Sequence, residues 1–444
     1  MPCLSMPVHL KPGRVLSAVA LACLMAVLIA ASAGQGGGFN RARADVLAGA
    51  AASPALSGSL AYVSGGDAWI ILGAGSATRL THSGDVTGVR WSPAGGWILV
   101  SRGRRQAALR SDGSQVLTIS GAWSPDDAVI AVPADDGGID LVTPSDGLVR
   151  QLVPAQPNVA FRPVEWSPDG SVLALSMQAL GDTGLPASES IWLVQRNGDA
   201  LHELVSAGAT WPHPVGWSPD GHWLAVFQGP AQLCVSCRAD GEQLDVAAVD
   251  GSHMYTAGTV LRSDWFAWAP DSASIIAVVG AGRETYRDKH MVALDLATGA
   301  VTHFLGRPGE VETQPATAAT GQLAFTRGPA VEGPPFTNLD ATHGYPGDIA
   351  GRRIWLASLA GGADHLLDGN DGWAEESPHW IGAGTLLFVR WRDGVLSGVP
   401  EAQLWLADMA NGVTVELVDS IDSPASTVGY YGEMGWSSLF AWHS

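Results

Sequence analysis

The sequence predicts an all-β fold of repeated four-stranded antiparallel sheets, and three observations predict it. The stretch Trp166-Ser167-Pro168-Asp169-Gly170 recurs intact at Trp217-Ser218-Pro219-Asp220-Gly221. Worn copies stand at Trp91-Ser92-Pro93-Ala94-Gly95, Trp123-Ser124-Pro125-Asp126-Asp127 and Trp268-Ala269-Pro270-Asp271-Ser272. Short runs of strand-forming residues follow, among them Val172–Ser176, Trp223–Phe227 and Ser274–Val278. No long amphipathic helical pattern appears after residue 33.

Each copy of the repeat is a hairpin corner, because Ser, Pro, Asp and Gly are the preferred residues at successive positions of a type I turn. The tryptophan ends a first strand, A, and the apolar run is the second, B. A third strand, C, of the type Ile191–Val194 or Ile354–Ala357 leads to Asn197-Gly198, Asp250-Gly251 or Thr298-Gly299 and so to a fourth strand, D. B strands are expected at Leu60–Val63, Trp97–Ser101, Ala128–Val132, Val172–Ser176, Trp223–Phe227, Ser274–Val279, Gln322–Thr326 and Thr385–Val389. We number the units 1 to 8 by these B strands.

Tryptophan intervals of 32, 43, 51 and 51 residues from Trp91 to Trp268 bracket the length of a propeller blade. The expected fold is therefore a β-propeller of eight blades, with seven as the alternative because the unit from Trp97 to Trp123 is short. Unit 1 begins at strand B and lacks an A strand. The tail from Tyr431 to Trp442 reads as one more A strand ending at Trp436, with the start of another B. It would close the ring and remove free sheet edges.

Composition sets the class. Of 444 residues 46% are hydrophobic and 15% charged, which supplies a large core and argues against disorder. A formal charge of −19 without Lys/Arg clusters excludes nucleic acid as an expected partner. Residues 1–33 read as a signal peptide or membrane anchor: Lys11 and Arg14 precede the uncharged apolar run 15–33, which ends in Ala31-Ser32-Ala33. Left uncleaved, 15–33 would be a membrane tether. Residues 34–58 form a flexible Gly/Ala/Ser-rich linker, and 59–444 the propeller. Outside the leader only Cys234 and Cys237 remain, and in an exported chain they are expected to form a local disulfide. A redox or half-zinc role for this pair is the alternative.

Trp-Ser-Pro-Asp-Gly followed by x-x-Leu-Ala, at Trp166–Ala174 and Trp217–Ala225, resembles the TolB-like, WD-like β-propeller repeat of exported bacterial proteins. The resemblance covers about residues 59 to 442, and it implies a propeller outside the cytoplasm. TolB itself is similar over the propeller alone, since its additional α/β domain has no counterpart here. Prolyl oligopeptidase-type enzymes carry a related propeller beside a hydrolase domain. No Gly-x-Ser-x-Gly elbow occurs in this chain, so a serine hydrolase is not expected.

Two sets of residues are candidates for binding. Counting four back from the strand-A tryptophan gives Arg162, His213, Asp264 and Glu376, and aligning Ala318 with tryptophan adds Gln314. This partial polar ring at the channel mouth suits a peptide end, a sugar or an ion. The second set lies on B–C connections, which are long from unit 4 onward and enlarge the same face. Its candidates are Arg283, Tyr286, Arg287, His343 and Tyr345, joined by Trp373 from the acidic loop Asp368–Glu376. The repeated tryptophans are assigned to packing between blades.

No cofactor and no metal are expected. The favoured reading is a monomeric, non-catalytic binding or scaffold module for a protein or peptide. One alternative is an enzyme acting on a glycan or peptide, with Asp264 and Glu376 as acid and base and His213 as ligand or proton carrier. The other is a membrane-tethered structural or sensory ectodomain.

Overall fold

The computed structural model describes residues 58–444 except 104, 231–239, 281, 332–350, 371, 393–400, 425–431 and 433–434. The leader, most of the linker, Cys234, Cys237, His343 and Tyr345 therefore lie outside the described residues.

Among the described residues the chain is all-β, with six antiparallel sheets of four strands and one of eight. Unit 4 typifies them. Its strands Val159–Trp166, Val172–Leu180, Pro186–Gln195 and His202–Val205 hydrogen-bond in chain order. The eight-stranded sheet is units 5 and 6 joined through Val260 and Val279.

Side chains alternate across each strand, and this distributes one strand between two cores. Leu173 and Leu175 pack with Ala122, Ala131 and Ile139 of unit 3. Ala174, between them, packs with Trp217, Leu224 and Val226 of unit 5. The cores thus sit between units, sheet against sheet, which is why strand B is apolar on both faces.

The A strands adjoin one another through a ladder of indole hydrogen bonds. Trp166 Nε1 donates to the Ala122 carbonyl at 3.1 Å, Trp217 to Glu165 at 3.3 Å and Trp380 to Ala316 at 3.0 Å. Where unit 7 carries Thr317 in place of tryptophan, the threonine hydroxyl donates to the Trp268 carbonyl at 2.6 Å.

Trp91 continues the ladder to Ala441 at 3.1 Å, and the strand Phe440–His443 pairs with Ser59–Ser64. The tail therefore supplies the fourth strand of unit 1, but six residues later than expected. Trp442 holds the tryptophan position, whereas Trp436 starts a 3-10 turn, Trp436–Ser438. Two tryptophans fit the pattern, and long-range packing chooses between them. The Asp422 carboxylate completes the junction by accepting the Gly65 and Gly66 N–H groups, each at 2.7 Å.

In the intact corners the serine hydroxyl donates to the aspartate, which also accepts an N–H two residues on. Ser167–Asp169 and Ser218–Asp220 each measure 2.6 Å. The glycine adopts φ +70° in unit 4 and +73° in unit 5. Unit 2 has Ala94 where the aspartate belongs, and Asp127 of the next corner replaces it across the gap. Its carboxylate takes Ser92 Oγ at 2.6 Å, Gly96 N at 3.0 Å and Ala94 N at 3.2 Å. Asp127 itself occupies the glycine position at φ +54°, a conformation that costs an L-residue about 1–2 kcal/mol.

Asp127→Gly relieves that backbone and removes three hydrogen bonds. With each bond worth about 0.5–1.5 kcal/mol, a net loss of about 1 kcal/mol is expected in denaturant titration. Ala94→Asp in the same chain should restore most of it. Equal losses in both backgrounds would show that Asp127 does not stand in for the missing carboxylate.

Candidate functional site

Strand register decides which predicted residues share a level across the A strands. Arg162 pairs with Ser176, His213 with Phe227 and Glu376 with Val389, each midway along its A strand. In unit 7 Thr317, not Ala318, pairs with Leu323 and holds the tryptophan position. Thr313 is accordingly the residue in register with Arg162. Gln314 comes one residue later, at φ +53°, because the strand is irregular between Thr313 and Ala316.

The 3-10 turn bonds two of the five residues. Ser437 Oγ donates to Asp264 Oδ2 at 3.1 Å, and Trp436 Nε1 donates to Glu376 Oε2 at 2.7 Å. Gln314 Oε1 accepts from the Thr326 hydroxyl and the Ser377 N–H, both at 2.9 Å, which ties unit 7 to unit 8. Arg162 and His213 stand apart. Arg162 is exposed and reaches Gln178 Oε1 at 3.3 Å. His213 Nε2 lies 3.4 Å from Glu242 Oε2, with its ring edge-on to Phe227.

Glu376 is sealed in, with 0% of its surface exposed. Arg352 Nη1 donates to its Oε1 at 2.6 Å and to the Gly432 carbonyl at 2.9 Å, while Arg352 Nη2 donates to Thr285 Oγ1 at 2.7 Å. Burial pushes the Glu376 carboxyl above its ordinary range, and Arg352 and Trp436, which hold the charged form, pull against it. A carboxylate with one oxygen on Arg352, the other on Trp436 and no solvent contact exchanges no proton with a bound ligand. The acid–base pairing of Asp264 with Glu376 thus lacks an accessible second carboxyl.

Beside this network lies a cavity of about 230 Å³. Asp264, Gln314, Ser377, His379 and Ser437 supply its polar groups, and Phe266, Pro315 and Pro378 its apolar wall. His379 keeps exposed surface, so solvent reaches the cavity. Its Nδ1 lies 3.0 Å from the Ser377 carbonyl oxygen, and its ring stands edge-on to Phe440. Enclosure pushes the imidazole below its ordinary value against the pull of the Ser377 carbonyl and Asp264, which favours the neutral ring. His379 escaped the sequence reading because counting four back from Trp380 passes over it; counting one back finds it.

The same count finds a second set of equivalent positions on the A strands. Ala122, Gly216, Ala267, Ala316 and Ala441 are small, whereas Arg90, Glu165 and His379 are not. Arg90 and Glu165, two units apart, are exposed yet interact through the intervening space. Enclosure pushes Glu165 up and Arg90 down, each partly offset by the other's charge.

The loop candidates divide. Arg283 forms a two-bonded ion pair with Asp240, at 2.6 and 2.7 Å, and Arg287 is half-buried. Tyr286 is only 2% exposed and packs in a core cluster that includes Val331, so its ring offers no surface to a partner. Trp373 is half-buried, with the Arg392 guanidinium 4.4 Å from its ring centre. Nearby, burial pushes the Lys289 ammonium down to about 8, against the attraction of Glu284 and Asp288. Its Nζ donates to the Gly282 and Arg287 carbonyls, each at 3.1 Å.

No family model matches the sequence, and no curated protein matches it either. Solved structures do. The dihydro-heme d1 dehydrogenase NirN, solved in complex with DHE, has a TM-score of 0.52 at 16% identity, over 82% of this chain and 74% of that one. A prolyl endopeptidase has a TM-score of 0.49 at 12% identity, over 84% of this chain, which spans about half (51%) of the enzyme's length. TolB from Acinetobacter baumannii has a TM-score of 0.31 at 14% identity, over 87% of this chain and 67% of that one. At such identities the likeness is one of fold alone, and of these three structures only NirN has a TM-score above 0.5.

Proposed function

We propose that residues 59–444 form an eight-bladed β-propeller, its ring completed by Phe440–His443, that works outside the cytoplasm as a non-catalytic binding module. Residues 1–33 export or tether it and residues 34–58 are a spacer. Its partner is a protein or peptide, met on the face where the A strands begin and the long B–C connections emerge. The observation that carries this reading is the fate of the carboxylates. Glu376 is wholly consumed by Arg352 and Trp436, and Asp264 is bonded to Arg262 and Ser437. Arg162 and His213 lie midway along neighbouring A strands and keep exposed or half-exposed side chains.

The test is capture from native envelope extract with residues 45–444 as bait, beside an Arg162→Ala/His213→Ala double variant. Substitution of these side chains should shift stability by no more than about 1 kcal/mol, so the fold survives. A protein retained by the first bait and lost by the second is the expected result. Turnover of a glycan or peptide by the purified protein, undiminished in the double variant, would replace the binding reading with an enzymatic one.

A further inference from the structure

We propose that the inner cavity lined by Asp264, Gln314 and His379 is a binding site for a small neutral polyol, in size and chemistry a single sugar ring. It is separate from the partner face proposed above. Its volume, about 230 Å³, falls below the roughly 300–1,000 Å³ of sites for drug-sized molecules, which limits the occupant to about one ring. Solvent reaches it past the exposed His379.

The hydrogen-bonding capacity left over defines the chemistry. His379 Nδ1 faces a carbonyl oxygen at 3.0 Å and must carry the proton, so in the neutral ring Nε2 is an acceptor. Asp264 gives one oxygen to Arg262 at 2.9 Å and the other to Ser437 at 3.1 Å, and a carboxylate retains further lone pairs. Gln314 spends Oε1 on Thr326 and Ser377, which leaves its Nε2 hydrogens as donors. The site therefore presents two acceptors and a donor group. Hydroxyls, which both donate and accept, answer all three.

Charge selects against the obvious competitor. An ammonium ion would also donate to Asp264 and His379, but the Arg262 guanidinium already pairs with that carboxylate, and among the described residues no second carboxylate lines the cavity. Phe266, Pro315 and Pro378 give the apolar wall on which the C–H face of a pyranose can rest.

The probes are methyl glucoside, methyl galactoside and methyl mannoside, with ethylammonium as the cationic control, each titrated at millimolar concentration and read by saturation-transfer NMR and calorimetry. At least one glycoside should bind. Gln314→Glu keeps the two bonds accepted by Oε1 and loses the donor, and Asp264→Asn is isosteric; each should weaken that binding about tenfold. Arg162→Ala/His213→Ala should leave it unchanged, which separates this site from the partner face. The proposal is overturned if no glycoside binds, if ethylammonium alone binds, or if both cavity variants bind as tightly as the parent while thermal melts show them folded.

Discussion

Deleting residues 436–444 is expected to cost the protein its cooperative fold. The deletion removes Trp436, Leu439 and Phe440, which are 0, 4 and 2% exposed, together with the strand that pairs with Ser59–Ser64. Burying each of these side chains is worth about 1.5–3 kcal/mol, so the loss is about 4.5–9 kcal/mol before the strand hydrogen bonds are counted. Net stabilities run at about 5–15 kcal/mol, so the loss consumes most or all of the margin. The truncated chain should bind a hydrophobic dye and give no sharp transition in urea. A cooperative transition within about 2 kcal/mol of the parent would mean that unit 1 stands without its fourth strand.

The second large effect is expected at Glu376. Changing it to alanine leaves the Arg352 guanidinium, 3% exposed, without its carboxylate, and leaves the Trp436 N–H without an acceptor. Removing one partner of a buried ion pair costs about 3–5 kcal/mol, chiefly because the other charge stays buried. Glu376→Gln keeps an oxygen for one of the two donors and should lose distinctly less. The double variant Arg352→Met/Glu376→Leu removes both charges and should also lose less than Glu376→Ala, which a denaturant series on all three measures directly. If alanine costs under about 1 kcal/mol, the network is not what anchors the tail to unit 8.

What could be read in advance follows the range of the interactions. The corners were legible because Ser167, Asp169 and Gly170 satisfy one another within four positions, and the B strands because apolar runs need no distant partner to be recognised. The tail strand was displaced because Trp436 and Trp442 present the same local pattern. The Trp91 bond to Ala441, spanning 350 positions, and the pairing of Phe440–His443 with Ser59–Ser64 distinguish them. Thr317 stayed hidden as a tryptophan substitute because a hydroxyl bond to Trp268 has no local signature.

Among the site residues, Asp264, Gln314 and Glu376 were found by periodicity, but their roles depend on Arg352 and on the turn from Trp436. Tyr286 looked like a loop-tip aromatic, yet a loop that folds down can bury its ring as thoroughly as a strand does.

The junction at unit 1 also governs timing. Asp422 and Gly65 are 357 positions apart, so the first unit synthesised must wait for nearly the last before its sheet is whole. Closing so long a loop is slow, because its entropy is lost before the contacts form. During that wait Ser59–Ser64 presents a bare strand edge to any passing chain. Units 2 to 8 draw their strands from consecutive sequence and can assemble as they emerge, whereas protease resistance of the first hairpin should appear last.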